Sequence, residues 1–405
     1  MAVLMHGSTV LILDGELNTS LTVCRSLSQS GYHCAVIAKF KSGAYFSRYA
    51  YKKFIVPVVS TDILYYWITK LDIKLVYPHY EKTAILLYDL KNKYPALDFI
   101  IVAPPIHLLE LSVDKVAMIN AANEAGLRLP KTMIVKGSDI SYEYLEHLLE
   151  EFGGLYLKAV TEINKPHGPG NRYIKISRLD KNIFEDTIRP FLVNNKSVII
   201  QESIRGIGLG IAGTWSDGDP VCVGGHVRIV ESHPTGGVSV LAKTYIDRDA
   251  LIQASKLMKY LSWTGTAMIE FKRTPEGNAF FMEVNPRSWG TLPLYVKSGA
   301  NIPISALDIA TDRSDQKKCD FNENRTFRFT FPFIIAILKN YSGKSKYYLL
   351  TLKELWSSKD AIWDIKDPLP FILSSARDVL KAIGIVRVGS PPSFVPSSKE
   401  ESLRR

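Results

Sequence analysis

Between Thr264 and Arg287 the sequence reads TGTAMIEFKRTPEGNAFFMEVNPR, and Glu270, Glu283 and Asn285 fall on a single face if the segment is a hairpin. Pro275-Glu276-Gly277-Asn278 is turn chemistry between two alternating runs, which predicts two antiparallel strands. With those four residues as the loop, Thr274 pairs with Ala279 and Glu270 stands directly opposite Glu283. Period two puts Ala267, Ile269 and Phe271 with Phe280, Met282 and Val284 on an apolar face, and Met268, Glu270 and Lys272 with Phe281, Glu283 and Asn285 on the other. Facing carboxylates, with Cβ atoms about 4.5–5.5 Å apart, repel unless a cation lies between them or one is protonated. Glu270, Glu283 and Asn285 form a hard, incomplete oxygen set of the kind magnesium takes when substrate phosphates complete its shell. A solvated polar face is the competing reading of the same residues.

The wording M-I-E-F, a short turn, then M-E-V-N-P-R-S-W-G resembles the metal-binding signature of the ATP-grasp superfamily, closest to its carboxylate–amine ligase and carboligase branches. The resemblance implies that Glu270, Glu283 and Asn285 hold two magnesium ions, or manganese in their place, that bridge the phosphates of ATP. It places Arg287 at the transferring phosphoryl group or the carboxylate substrate. It extends over roughly 111–303 and implies further roles there. D-K-V-A-M-I-N-A-A-N-E-A-G-L-R-L-P-K-T matches the entry helix, with Lys115 approaching the nucleotide phosphates, where a surface lysine is the plain alternative. LYLKAV places Lys158 at the position of the lysine that contacts the α- and β-phosphates. The loop 165–171, with Gly168 and Gly170, resembles the glycine-rich flap, although two prolines and His167 depart from the usual small-residue type. Gln201-Glu202-Ser203-Ile204 resembles the interlobe linker that reads adenine, Glu202 accepting from the exocyclic amine and Ile204 offering backbone.

The stretch GHVRIVESHPTGGVSV alternates so that His226 and Arg228 share one strand face and Val227 and Ile229 the other. The fork of Arg228 suits a substrate carboxylate or acyl phosphate, and suits an ordinary salt bridge equally. His233 beside Pro234 reads as an exposed turn. The implied activity is an ATP-dependent ligase: a small-molecule carboxylate becomes an acyl phosphate and an amine or similar nucleophile displaces phosphate. This chemistry needs no enzyme nucleophile, and the sequence has no G-x-S-x-G elbow. Biotin-carboxylase-like use of bicarbonate and a nucleotide-binding scaffold without turnover are the alternatives.

These residues need elements to hold them. Strands are predicted at Thr9–Leu13, Cys34–Ala38 and Asp98–Ala103 with a helix at Ser20–Ser28, a parallel α/β unit. It is Rossmann-like but carries no G-x-G-x-x-G, which argues against a nicotinamide cofactor. Within it SGAYFSRYAY is a surface loop or a pocket lining. Helices follow at Val113–Ala125, Tyr142–Phe152, Lys181–Arg189 (stopped by Pro190) and Asp249–Leu261, with strands at Thr132–Val135, Leu155–Val160, Tyr173–Ile176, Ser197–Gln201 and across 208–243. The fold expected is α/β and α+β: a Rossmann-like pre-ATP-grasp domain over 1–110, a small lobe over 111–205, a large lobe with the metal site over 206–313 and a C-terminal helical extension over 314–405. The tail after Val388 is Ser/Pro-rich and reads as disordered.

Composition limits the partners. The chain has 405 residues, 46% hydrophobic and 22% charged, which excludes a disordered or fibrous class. Four cysteines without a C-x-x-C pair suggest neither a disulfide framework nor a cysteine zinc site and fit the cytoplasm. The N-terminus lacks the marks of a signal peptide, and the longest apolar run, Phe329–Leu338, falls short of the ~20 residues of a membrane span. Of the net charge of +10, an excess of six lies beyond residue 313, where 16 Lys and Arg face 10 Asp and Glu. The aromatic, lysine-bearing helices expected there read as a cover on the ligase or as an interfacial contact with anionic lipid. No RNA-binding signature or finger supports nucleic acid, and a homo-oligomer is compatible with the reading.

Overall fold

A computed structural model describes residues 7–160, 173–233, 237–313, 319–341 and 345–383. They form two compact units: one from the chain up to Val113, Ala117–Leu129 and Ile204–Ile383, the other from Asp114–Val116 and Pro130–Ser203. The first unit opens with five parallel strands, β1 (Thr9–Ile12), β2 (His33–Ala38), β3 (Ala50–Ile55), β4 (Leu75–Tyr77) and β5 (Ile100–Ile101), ordered β3-β2-β1-β4-β5. Helices α1 (Asn18–Gln29), α2 (Thr61–Lys70) and α3 (Glu81–Lys93) connect them. β1 and β2 are nearly continuous apolar runs because parallel strands are covered on both faces. Asp14 ends β1 with φ 54°, and its carboxylate accepts from the backbone N–H of His79 and Tyr80 and from Thr83 Oγ1, so the end of β1 fixes the start of α3. The helix expected from Val113 is two helices, α4 (Ile106–Val113) and α5 (Lys115–Glu124), parted at Asp114, whose Oδ1 accepts from the N–H of Val116.

The second unit is a four-stranded sheet, β6 (Thr132–Lys136), β7 (Leu155–Ala159), β8 (Tyr173–Ile176) and β9 (Ser197–Glu202), ordered β6-β9-β7-β8. α6 (Tyr142–Phe152) covers it, capped by Ser141 and ended by Gly153 at φ 66°, the left-handed stop that a glycine permits. Pro190 does not stop the next helix. Helical turns run through α7 (Lys181–Ile183), a π-type turn over Phe184–Ile188 and α8 (Arg189–Val193), and proline is tolerated in the first turn of α8.

The rest of the first unit is a seven-stranded sheet, ordered β14-β13-β10-β11-β12-β15-β16. Its strands are β10 (Ile207–Ser216), β11 (Asp219–Glu231), β12 (Ser239–Thr244), β13 (Gly265–Arg273), β14 (Ala279–Asn285), β15 (Thr326–Arg328) and β16 (Lys359–Asp360). α9 (Arg248–Tyr260), capped by Asp247, packs Ala250, Ala254, Leu257 and Met258 against Ile269, Phe271 and Phe281 on one face. On the other face, α10 (Leu292–Lys297) and α11 (Ile302–Ala310) bury Ala212, Cys222 and Met268. Beyond it, α12 (Thr330–Asn340), α13 (Ser345–Ser357) and α14 (Leu369–Ala382) form the helical extension; Phe333, Ala336 and Ile337 of α12 bury Val230, Val240 and Leu241. Arg25 of α1 reaches this extension, pairing with buried Asp367 at 2.9 Å. One disulfide departs from the reading of the cysteines: Cys222 is joined to Cys319, 97 residues away, while Cys24 and Cys34 are buried thiols.

Candidate functional site

Glu270 does pair with Glu283, but not through the register expected at the turn. Arg273, not Thr274, pairs with Ala279, and the hairpin is one residue out of step up to Phe271 opposite Phe281. The loop is longer because Thr274 N–H donates to Asn278 O and Gly277, at φ 93°, donates back to Thr274 O. Met282 is then the extra residue of a bulge, after which Glu270 faces Glu283 and Met268 faces Asn285. The bulge exchanges the expected faces of the outer half: Phe281 joins Phe271 in the core, ring to ring at 6.2 Å, and Phe280 leaves it. At this edge the N–H of Phe281 donates to the carbonyl of Arg128.

The acids are surrounded by donors. Arg228 Nη2 lies 2.7 Å from Glu270 Oε2, and its Nη1 lies 3.1 Å from Glu231 Oε1. Asn285 Nδ2 donates to Glu270 Oε1 at 3.4 Å and to Glu283 Oε1 at 3.2 Å. Burial pushes the Glu270 carboxyl above the ordinary range; Arg228 opposes this and Glu283 adds to it. Arg287 binds Glu81 at the start of α3 through Nε at 2.7 Å, Ser288 O through Nη1 and Asn285 Oδ1 through Nη2. Burial alone would lower the pKa of Arg287, and the carboxylates of Glu81, Glu283 and Glu270 together more than offset that. His226 and Arg228 share a face as expected, but His226 is a core residue. Its Nδ1 is 2.8 Å from Tyr295 Oη, and burial and then Arg228 lower its pKa to about 3.

No cluster of three or more His, Cys, Asp or Glu placed for a metal exists among the described residues. The candidate site is therefore the facing acid pair; Asn285 turns its Nδ2 to both acids and its Oδ1 to Arg287, and becomes a third oxygen ligand when its amide turns over. That donor set fits magnesium.

In the second unit, Lys158 Nζ donates to Gln201 Oε1 at 2.6 Å, and Gln201 Nε2 donates to Thr132 Oγ1. Gln201 thus orients Lys158 across the sheet, a partnership the sequence reading did not anticipate. Glu202 ends β9, its N–H donating to Lys131 O and its Oε2 accepting from Lys131 N–H. Lys115 is half-buried as the first residue of α5. Ile204 begins the stretch of chain that returns to the first unit. Gly168, Gly170 and His167 lie outside the described residues, as does the tail after Val388.

Three features escaped the sequence reading. Glu81, 206 residues from Arg287, carried no signal. Gly208 and Gly210 on β10 allow the side chains of β11 to pass: a Cβ at Gly210 would stand 2.3 Å from His226 Cε1, and one at Gly208 would stand 2.9 Å from Arg228 Cδ. The repeated glycine of I-G-L-G was their available mark. Beside Arg287 a small pocket is lined by Tyr77, Tyr80, Pro104, Thr266 and Ser288, with the buried Tyr77 hydroxyl facing those of Ser288 and Thr266.

Residues 224–329, from β11 through the hairpin to β15, match the family model described as ATP-grasp in the biosynthetic pathway with Ter operon. Solved structures extend the likeness. N5-carboxyaminoimidazole synthetase from Staphylococcus aureus complexed with ADP superposes with a TM-score of 0.61 at 14% identity, over 80% of this chain and 82% of that one. The fold is that of the ATP-grasp superfamily. The biotin carboxylase–β-γ-ATP complex from Campylobacter jejuni gives 0.61 at 13% identity, over 78% of this chain and 74% of that one. The biotin carboxylase domain dimer of Hydrogenobacter thermophilus 2-oxoglutarate carboxylase, in complex with magnesium-ADP, ADP and bicarbonate, gives 0.60 at 15%, over 80% and 74%. No curated protein matches the chain. The acid pair with Asn285 lies inside the segment that the family model matches.

Proposed function

We propose that the protein is an ATP-dependent ligase that activates a small-molecule carboxylate as an acyl phosphate for attack by an amine. The observation that carries this is Glu270 facing Glu283, with Asn285 bonded to both and Arg287 bonded to Asn285, on an ATP-grasp fold. Glu270, Glu283 and Asn285 would hold magnesium, which offsets phosphate charge when bound. Lys158, oriented by Gln201, and Lys115 would neutralise the nucleotide phosphates, and Glu202 with Ile204 would read adenine.

The carboxylate substrate attacks the γ-phosphorus; a P–O bond forms as the bond to the β-phosphate oxygen breaks, and ADP leaves. Arg287 and Arg228 supply donors to the oxygens that gain charge. The amine then adds to the acyl carbon and phosphate departs. The pocket beside Arg287 is the place for the carboxylate, because the Arg287 guanidinium lines it together with the Tyr77 and Ser288 hydroxyls, donors suited to an anion. Bicarbonate is the second reading of that carboxylate, favoured by the pocket's small size and by the structural neighbour that holds bicarbonate.

An ADP-release screen tests this: purified protein with magnesium-ATP, arrays of amino acids and dicarboxylates, each with and without bicarbonate. ADP release that requires both a carboxylate and an amine supports ligation, release with bicarbonate alone supports carboxylation, and nucleotide binding with no release under any condition overturns catalysis.

A further inference from the structure

Helix α13 turns Tyr348, Leu349, Leu352 and Trp356 to solvent, with Trp356 92% exposed and Leu349 69% exposed. At about 100° per residue the four occupy one stripe roughly 100° wide. The opposite side of the helix is already used, since Tyr347 and Leu350 pack on the cluster of Phe333, Ile337 and Tyr341. Large apolar side chains left together on the surface of a folded helix mark a contact face rather than scattered exposure.

Charge identifies what covers it. From Asn324 to Lys353 the sequence has six Lys and Arg and no Asp or Glu. Most of the acids that follow are engaged: Glu354 is buried, Asp367 is buried on Arg25, and Asp360 accepts from Thr330, while half-buried Asp364 accepts from the N–H of Lys366. Lys353, Lys359 and Lys366 stay exposed. The outward surface of α13 therefore combines Trp, Tyr and Leu with Lys353 one residue along, in a stretch of chain that carries only positive charge up to that lysine, the composition of a helix lying in the boundary between lipid headgroups and acyl chains. A second copy of this chain would set lysine against lysine across the same face. α13 has 13 residues, and no described helix is long and apolar enough to cross a membrane.

We propose that α13 docks this protein on an anionic lipid surface, with Leu349, Leu352 and Trp356 entering the interface and the lysines meeting the headgroups. The reading is independent of the ligase chemistry.

Flotation of the full-length protein with vesicles of phosphatidylcholine alone, and of phosphatidylcholine mixed with phosphatidylglycerol, tests it. Binding is expected to the mixed vesicles only and to weaken with added salt. The Leu352→Asp/Trp356→Asp variant should bind at least about tenfold more weakly, with its thermal unfolding midpoint unchanged because both side chains are exposed. The proposal is overturned if mixed vesicles capture nothing, if phosphatidylcholine alone binds equally, or if the variant floats like the wild type. A dimer in light scattering that the same substitutions dissociate would assign the face to a second copy and overturn it as well.

Discussion

Arg228 on β11 pairs with Glu270 on β13, two strands away, by crossing β10 where that strand carries Gly208 and Gly210. No other side chain leaves room for that crossing. Gly210→Ala would place a methyl group against the His226 ring, whose Nδ1 is already committed to Tyr295. Overpacking of this kind costs about 1–3 kcal/mol. Chemical denaturation should show the loss; an unchanged midpoint would mean that the His226 ring is free to move aside.

Glu283 is the more exposed of the two facing acids, and neutralising it removes charge from the metal set while keeping its shape. Glu283→Gln should weaken magnesium-ATP binding in calorimetry at least about tenfold, with binding of metal-free ATP little changed. Equal affinity with and without magnesium in the wild type would sink the metal assignment.

The pairing of Glu270 with Glu283 was legible because period two and a turn signal suffice to align a short hairpin, yet the register behind it was not. Thr274 and Met282 each depart from simple counting, and the two departures cancel at the acids. Counting cannot see a bulge, since bulges answer to partners outside the hairpin, here the Arg128 carbonyl on Phe281. Helix α6 was legible to the residue because Ser141 caps it and Gly153 ends it. Glu81 and the Cys222–Cys319 pair were not, because contacts between residues about 100 to 200 positions apart leave no local pattern.

Arg287 is held by Glu81 and Asn285, so its fork is already oriented before any substrate arrives. An interaction that strengthens mainly as charge develops lowers kcat and kcat/KM together and leaves nucleotide binding alone. Arg287→Ala should cut turnover on the order of 10²–10³-fold with magnesium-ATP affinity nearly unchanged. Glu81→Gln provides the control: it removes the positioning partner and keeps the guanidinium, so a smaller loss in kcat is expected. Native turnover in Arg287→Ala would make this a structural ion pair.

Glu202 ends β9 at the linker, with Oε2 on the N–H of Lys131. If its carboxylate also accepts from the exocyclic amine of adenine, a guanine base presents an acceptor there instead and is rejected. Wild-type protein should favour ATP over GTP, and Glu202→Ala should bring the ratio of their affinities toward one. A ratio that the substitution does not move removes Glu202 from base recognition.

His79 follows β4 with its ring fully buried, stacked on Tyr77, and neither ring nitrogen has a hydrogen-bond partner among the described residues. Burial, and then the charge of Arg287, lower its pKa from 6.5 to about 3. The folded chain therefore keeps this ring neutral at pH values where the unfolded chain protonates it. The stability that the neutral ring contributes is whole above pH 6.5 and is lost progressively as pH falls from there toward 3. Between pH 7 and 5 one such histidine costs about 2 kcal/mol, and His226 behaves alike. Asp14 works in the opposite sense, since burial raises its pKa to about 6 and the folded chain takes up its proton first, which offsets about 1 kcal/mol over the same range. Comparing His79→Phe with the wild type cancels the contributions of His226 and Asp14. Urea unfolding at pH 7 and pH 5 should show the variant losing about 2 kcal/mol less than the wild type over that interval, whatever its stability at pH 7. Parallel losses in the two proteins would show that the buried ring is protonated in the folded state and has a partner after all.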